Sequence, residues 1–143
     1  MPTISIRTVE PGDADSEDLR AILGDATDRA QVTGLVTTAM VDGVCLVAVD
    51  GDEHTGCVCV LPTGEPGEWV LRAIAVKAPH RQVGVGRRLI QEALAQSDAA
   101  VVHAETDNDA VDFYARLGFS VKSLGDKYPG VERFACSWRA SSA

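Results

Sequence analysis

The sequence predicts a mixed α/β domain built on one sheet. Apolar strand-like segments come first as a hairpin pair and later alternate with helical segments. A glycine-bearing stretch, Arg81-Gln82-Val83-Gly84-Val85-Gly86, stands between an apolar strand and an amphipathic helix. The 143 residues, 45% of them apolar, suit a single domain with a substantial core, and neither a repeat nor a linker interrupts them.

In chain order, Ile4 to Thr8 reads as a short strand. A helix follows from about Ser16 to Ala30, capped by Asp15 or Ser16, with Leu19, Ile22 and Leu23 as its buried stripe. The segment to Asp42 is ambiguous and admits a second short helix containing Thr33 to Met40. Val44 to Val49 and about His54 to Leu61 are hairpin strands joined at Asp50-Gly51-Asp52. Pro62 to Gly67 is a loop, and Trp69 to Val76, almost wholly apolar, is a strand covered on both faces. Val85, Leu89, Ile90, Ala93 and Leu94 then recur at helical spacing, with Arg87, Arg88, Gln91 and Glu92 on the other side. A strand at Val101 to Glu105 precedes a short helix, Ala110 to Leu117, which Gly118 ends in a left-handed cap. Two strands, Phe119 to Leu124 and about Glu132 to Trp138, close the chain around a Gly125 to Gly130 turn, and residues 140–143 are a frayed tail.

The glycine stretch has the chemistry of a phosphate cradle. The first amides of a helix lack intrahelical partners and carry the positive end of its dipole, so an anion satisfies both. Gly84 and Gly86 let the backbone approach such an anion and accept positive φ. A dinucleotide fingerprint would need a third glycine where Leu89 stands, and a P-loop would need Gly-Lys-Ser/Thr; neither is present.

Strand, loop and helix together resemble motif A of the GCN5-related N-acetyltransferases (GNAT), Arg/Gln-x-x-Gly-x-Gly/Ala after a strand ending in an apolar residue such as Val76. Ala110-Val111-Asp112-Phe113-Tyr114-Ala115-Arg116-Leu117-Gly118-Phe119 resembles motif B of the same family, in the expected order and spacing. The resemblance spans Trp69 to Phe119. It implies the acetyltransferase fold, a central twisted and mostly antiparallel sheet with splayed strands flanked by helices. It also implies acetyl-CoA as co-substrate, with no metal, and an amine of a small molecule or peptide as acceptor.

The resemblance further implies a set of site residues. Main-chain groups of Ile74, Ala75 and Val76 would hold the pantetheine arm and thioester oxygen, and the amides of Arg81, Gln82, Val83, Gly84, Val85 and Gly86 the pyrophosphate. Arg87 would touch phosphate and Asn108 would reach the cofactor, beside Asp107 where relatives usually carry asparagine. Tyr114 would donate a proton to the departing thiolate, a sensible match since a phenol titrates near 10 and a thiol near 8.5; on the helix face it also reads as a core aromatic. Many relatives carry a glutamate six residues before the valine ending the strand, and that position is Val70 here. Glu68, Glu105 or an ordered water is then left to deprotonate the amine, although either carboxylate also reads as a solvated surface group.

Several other residues have two readings. Arg72, a charge inside an apolar strand, reads first as half of an internal salt bridge and second as a contact to a substrate carboxylate. His103 reads as a hydrogen-bonded core histidine before it reads as a catalyst. His80 and Lys77 border the loop as solvated groups. Tyr128, Glu132 and Arg133 fall where the acetyltransferase fold builds its acceptor pocket.

Composition excludes other classes. A net charge of −8 argues against nucleic acid as a partner and mildly favours a cationic acceptor. No apolar run reaches the roughly 18 residues of a membrane span, and the first residues lack a basic and then apolar leader, so a cytoplasmic protein without a membrane partner is expected. Cys45, Cys57, Cys59 and Cys136 lie within strands without C-x-x-C spacing and are expected to be buried reduced thiols rather than disulfides or zinc ligands. Self-association into a homodimer is left open. Two rival functions stand beside the enzyme: a non-catalytic acyl-CoA sensor of the same fold, and a phosphate binder unrelated to coenzyme A.

Overall fold

The computed structural model describes residues 4–14, 17–23, 29–77, 84–128 and 130–140. Its element order is β1 (Ile4–Thr8), α1 (Pro11–Ala14), α2 (Glu17–Leu23), α3 (Arg29–Asp42), β2 (Val44–Asp50), β3 (Glu53–Pro62), β4 (Glu68–Val76), α4 (Val85–Ser97), β5 (Val101–Asp107), α5 (Val111–Arg116), β6 (Ser120–Tyr128) and β7 (Val131–Arg139). The strands form one seven-stranded sheet in the order β1-β2-β3-β4-β5-β7-β6. β4 and β5 run parallel and every other neighbouring pair is antiparallel. No helix of the described residues is long and apolar enough to cross a membrane.

Two apolar clusters lie on the two faces of the sheet, and strand periodicity assigns residues to them. Leu46, Ala48, Val58 and Val60 pack with Val85, Leu89, Ile90 and Ala93 of α4 and with Tyr114 of α5. The alternate residues Cys45, Val47, Cys57 and Cys59 pack with Leu19, Leu23, Val36 and Ala39 of α2 and α3. β2 and β3 are therefore covered on both faces, which is why they read as unbroken apolar runs. On β5 and β7 only one face is apolar: Val102, Ala104 and Cys136 join the α4 cluster, while His103, Glu105 and Ser137 lie between them in sequence on the other face.

β4 changes its parity halfway along. Ala73 pairs with Cys59 and Leu71 with Val60, so Arg72 is an extra residue with no position opposite it. This β-bulge lets Trp69 and Leu71 before it, and Ile74 and Val76 after it, all pack towards α4, while Ala73 and Ala75 join the α2–α3 cluster.

The described structure departs from the sequence reading at three places. A short helix α1 precedes the expected one, and Arg29 and Ala30 open α3 instead of closing the helix begun before Leu19. Asp15 and Ser16, the expected caps, lie outside the described residues. In the last hairpin Gly125 to Tyr128 continue β6 and do not form a turn; Gly125 pairs with Arg133 at a register shift and takes φ +79°, a bulge geometry that glycine accepts readily.

Asp13 ties α1 to β1 and β3. It accepts both guanidinium donors of Arg7, at 2.7 and 3.0 Å, the amide of Glu10 at 2.8 Å, and sits 3.1 Å from His54 Nε2. The Arg7 hydrogen bonds lead in drawing its carboxyl down from 3.8 to about 2, so the ionised form is favoured in the folded state. Such a group adds stability above its unfolded value, and that contribution fades as pH falls from about 4 towards 2, here about 1–2 kcal/mol given the part-exposed arginine. Asp13→Asn is expected to be less stable than the wild type at pH 7 in urea unfolding, with the difference closing between pH 4 and pH 2; a difference that stays constant across that range contradicts this role.

Candidate active site

The site follows from how little β4 and β5 share. They pair only at Glu68–Val101, Trp69–Val102 and Val70–His103, after which the strands part. From Leu71 onwards β4 is still laddered to β3, but on its other edge no β5 ladder continues. A cavity of about 450 Å³ fills the gap, with Leu71 to Val76 on one wall and Glu105 to Asp107 on the other. Gly86 of α4, Ala110, Phe113 and Tyr114 from the α5 segment, and Arg133 of β7 complete the lining among the described residues. The edge of β4 along Ile74 and Ala75, which the β5 ladder does not reach, offers hydrogen bonds to an extended ligand, much as a sheet edge takes up a strand.

Tyr114 occupies the α4–α5 side of the cavity. α5 carries it inwards, 5% exposed, between the rings of Phe113 and Phe119, which meet it edge-on at 5.4 and 5.3 Å. The helix stops where expected: Gly118 has φ +96° and the Phe119 amide donates to the Tyr114 carbonyl at 3.1 Å. Burial, with Cys136 nearby, pushes the phenol up to about 12, so it keeps its proton at any physiological pH.

The start of α4 is built from glycine for two different reasons. Gly84 is the N-cap, with φ 88° and no side-chain cap bond, and its carbonyl accepts the Arg88 amide at 3.0 Å. Gly86 is a packing position: a Cβ there would lie 3.2 Å from the Phe113 ring. Motif A and motif B thus meet at one contact, between Gly86 and Phe113. Arg81, Gln82 and Val83 lie outside the described residues, as does His80. Val85 is buried in the core, Arg87 lines a separate depression with Arg116 and Trp138, and Asn108 is exposed in the turn after β5. The structure therefore brings Ile74, Ala75, Val76, Gly86, Tyr114 and Glu105 to one cavity, and leaves Arg87 and Asn108 outside its lining.

The two candidate carboxylates are in different settings. Glu105 is exposed on the face away from α4 and lies 3.3 Å from Arg133 Nε. Glu68 sits where the strands still pair. One of its oxygens is 2.6 Å from His103 Nε2 and the other accepts from Thr63 at 3.2 Å. His103 Nδ1 is in turn 3.1 Å from Ser137 Oγ, its direct partner across the β5–β7 ladder. Glu68, His103 and Ser137 thus form a chain across three strands, outside the cavity lining. His103 is hydrogen-bonded as expected, but its side chain is 40% exposed on the uncovered face instead of lying in the core.

Arg72 forms no internal salt bridge among the described residues. It is exposed on the cavity wall, because the bulge removes it from the strand's alternation between covered faces. Of the expected acceptor residues, Arg133 lines the cavity, Glu132 accepts from Ser123 across the hairpin, and Tyr128 ends β6. Lys77 pairs with Glu53 at 3.3 Å. The four cysteines are buried and free, with the sulfurs of Cys45, Cys57 and Cys59 all within 4.8 Å of one another. Hydrogen bonding to Cys45, followed by burial, pushes Cys57 and Cys59 well above the usual thiol range and keeps them protonated. None of these thiols lines the cavity.

Comparison with known proteins decides the family. A model of the acetyltransferase (GNAT) domain matches residues 41–121, more than half of the chain. The chain belongs to the GNAT family. Among solved structures, a candidate GNAT acetyltransferase from Desulfovibrio desulfuricans superposes with a TM-score of 0.81 at 23% identity, covering 97% of this chain and 100% of that one. A Bacillus subtilis acetyltransferase in complex with CoA gives 0.76 at 21% identity over 97% and 100%. The ribosomal-protein-S18-alanine N-acetyltransferase of Escherichia coli gives 0.77 at 18% over 99% and 96%. At these identities the likeness is one of GNAT fold. No curated protein gives a significant match.

Three features of this GNAT site escape the sequence. The Glu68–His103–Ser137 chain and the Arg133–Glu105 pair depend on strand register, which only the assembled sheet fixes. The Gly86–Phe113 contact joins residues far apart in sequence, although a glycine just inside a helix and an aromatic on a short helix were visible separately. Gly84→Ala is expected to cost about 1–2 kcal/mol in chemical unfolding, since alanine resists the left-handed conformation. Gly86→Ala should cost less, because the Phe113 ring edge can shift by the few tenths of an ångström needed. The reverse order of the two losses contradicts this account of the loop.

Proposed function

We propose that the protein transfers an acetyl group from acetyl-CoA directly to a primary amine of a small molecule or peptide. The observation that carries this reading is the cavity between β4 and β5, with the edge of β4 beyond the β5 ladder on one wall and the Tyr114 phenol in another. CoA would lie along β4, its pantetheine amides extending the sheet and its pyrophosphate on the amides before and within the start of α4.

In the reaction the amine nitrogen attacks the thioester carbonyl, the C–N bond forms, the C–S bond breaks, and the ammonium proton is removed. Backbone amides of the Ile74 to Val76 wall stabilise the oxyanion, an effect worth a few kcal/mol when such donors are preorganised. Tyr114 delivers its proton to sulfur. A phenol at about 12 is a weak acid, but the thiolate departs into the same apolar wall, where desolvation raises its basicity as well. Glu105 is the carboxylate best placed to receive the ammonium, with water carrying the proton away. Glu68 acts through His103 as a positioning residue, because both its oxygens are engaged there and at Thr63.

Val70, standing where many relatives carry a glutamate, favours one second reading, an acyl-CoA sensor of the same fold that performs no chemistry. Thiol release measured with acetyl-CoA and a panel of amines separates the two. The enzyme reading expects turnover, a loss of roughly 10²-fold or more in kcat for Tyr114→Phe, and a rate that rises with pH and stays level to pH 10, since Tyr114 remains protonated there. Binding of acetyl-CoA without turnover on any amine supports the sensor. A basic limb with its midpoint near pH 9 contradicts Tyr114 as the proton donor.

A further inference from the structure

Among the described residues, Arg72 makes no contact that explains its place in an otherwise apolar strand by stability. Its neighbours Leu71 and Ala73 are 7% and 4% exposed, yet the bulge inserts a guanidinium between them and leaves it exposed on the cavity wall. The other arginine of the lining, Arg133, already has Glu105 at 3.3 Å. Arg72 has no acidic partner among the described residues, in a chain whose net charge is −8. The field of an acidic chain draws a guanidinium towards a carboxylate partner, yet this one stands on the cavity wall, where it faces an incoming ligand.

Two anions could meet it, the phosphates of the carrier or a group on the acceptor. Position along β4 separates them. The pyrophosphate reading places phosphate beyond Val76, at the end of the strand from which the chain runs to α4. Arg72 lies four residues back, about 13 Å at the rise of a strand, and two residues beyond Val70, where β4 and β5 close together. It therefore stands at the narrow end of the gap, at the acceptor's end of a carrier laid along β4. The opposite wall there supplies Glu105, which together with Arg72 offers one negative and one positive group to the same ligand.

We propose that Arg72 forms a carboxylate subsite and that the acceptor is a primary amine with a carboxylate close to the reacting nitrogen, as in an amino acid. The proposal rests on the acetyltransferase reading above. The ammonium faces Glu105 before it is deprotonated, and the carboxylate takes charge-assisted hydrogen bonds from the Arg72 guanidinium, which strengthen as the carrier displaces water from the cavity.

The test is thiol release from acetyl-CoA with matched acceptors: each amino acid beside its amide and its decarboxylated amine, and peptides beginning with Asp or Glu beside those beginning with Asn or Gln. The expected result is a kcat/KM roughly ten- to a hundred-fold higher for carboxylated members. The free-acid arm distinguishes an amino acid from an acidic peptide terminus as the source of the carboxylate. Arg72→Gln should lower that ratio towards one, Arg72→Lys should retain part of it, and Arg72→Glu should reverse it. Turnover without preference for the carboxylate, or equal losses on acids and amines in Arg72→Gln, overturns the subsite and leaves the acetyltransferase intact. No turnover on any member, with acetyl-CoA still bound, overturns both.

Discussion

The parting of β4 from β5 is the constraint on which the remaining architecture depends. Two parallel strands joined by a crossover helix would ordinarily pair along their length, and these pair over three positions only. What holds them apart is packing from below: the α5 segment brings Phe113 and Tyr114 under the gap, and Gly86 lets α4 approach Phe113 closely enough to share that space. The result is an edge within the middle of a sheet. Its backbone groups keep their hydrogen-bonding capacity, which in a closed sheet would have been consumed by the neighbouring strand.

The two faces of the sheet give that edge two chemical environments. Towards α4 and α5 the wall is apolar and carries Tyr114, a phenol whose burial keeps it protonated. On the other face, α2 and α3 cover β2 to β4 but no helix among the described residues covers β5 and β7, so Glu105, Arg133 and the Glu68–His103–Ser137 chain remain in contact with water. Desolvation and charge are thereby divided between the two faces of a single gap, which the proposed reaction would use as its carrier side and its acceptor side. An acyl transfer needs both, one to protect a thioester and protonate a thiolate, the other to receive an ammonium and remove its proton.

Much of this was legible in the sequence, and the reasons for the exceptions are physical. The strands β2 to β4, the helix α4 and the Gly118 stop are set by periodicity and by local conformational preference, which a sequence displays directly. α3 was ambiguous because its apolar residues and threonines, Val32, Thr33, Leu35, Val36, Thr37 and Thr38, run together without a clear polar face. α1 depends on Asp13 meeting Arg7 and His54, contacts made across strands. Arg72 was conspicuous as a charge in an apolar run, but a salt bridge was the natural expectation; only the register with β3 shows that it is a bulge residue. Glu68 and Glu105 looked equivalent until the ladders placed His103 against one and the cavity beside the other.

The central claim is that the open edge of β4 and the start of α4 take up the acyl carrier. Amide chemical-shift mapping on the labelled protein, titrated with acetyl-CoA and separately with ATP, tests it most directly. The predicted result is a saturable perturbation by acetyl-CoA at Ile74, Ala75, Val76, Gly84 and Gly86, with Tyr114 responding, and a much weaker response of the β4 amides to ATP. Perturbations confined to other strands, or β4 amides that do not move at saturating acetyl-CoA, would contradict it.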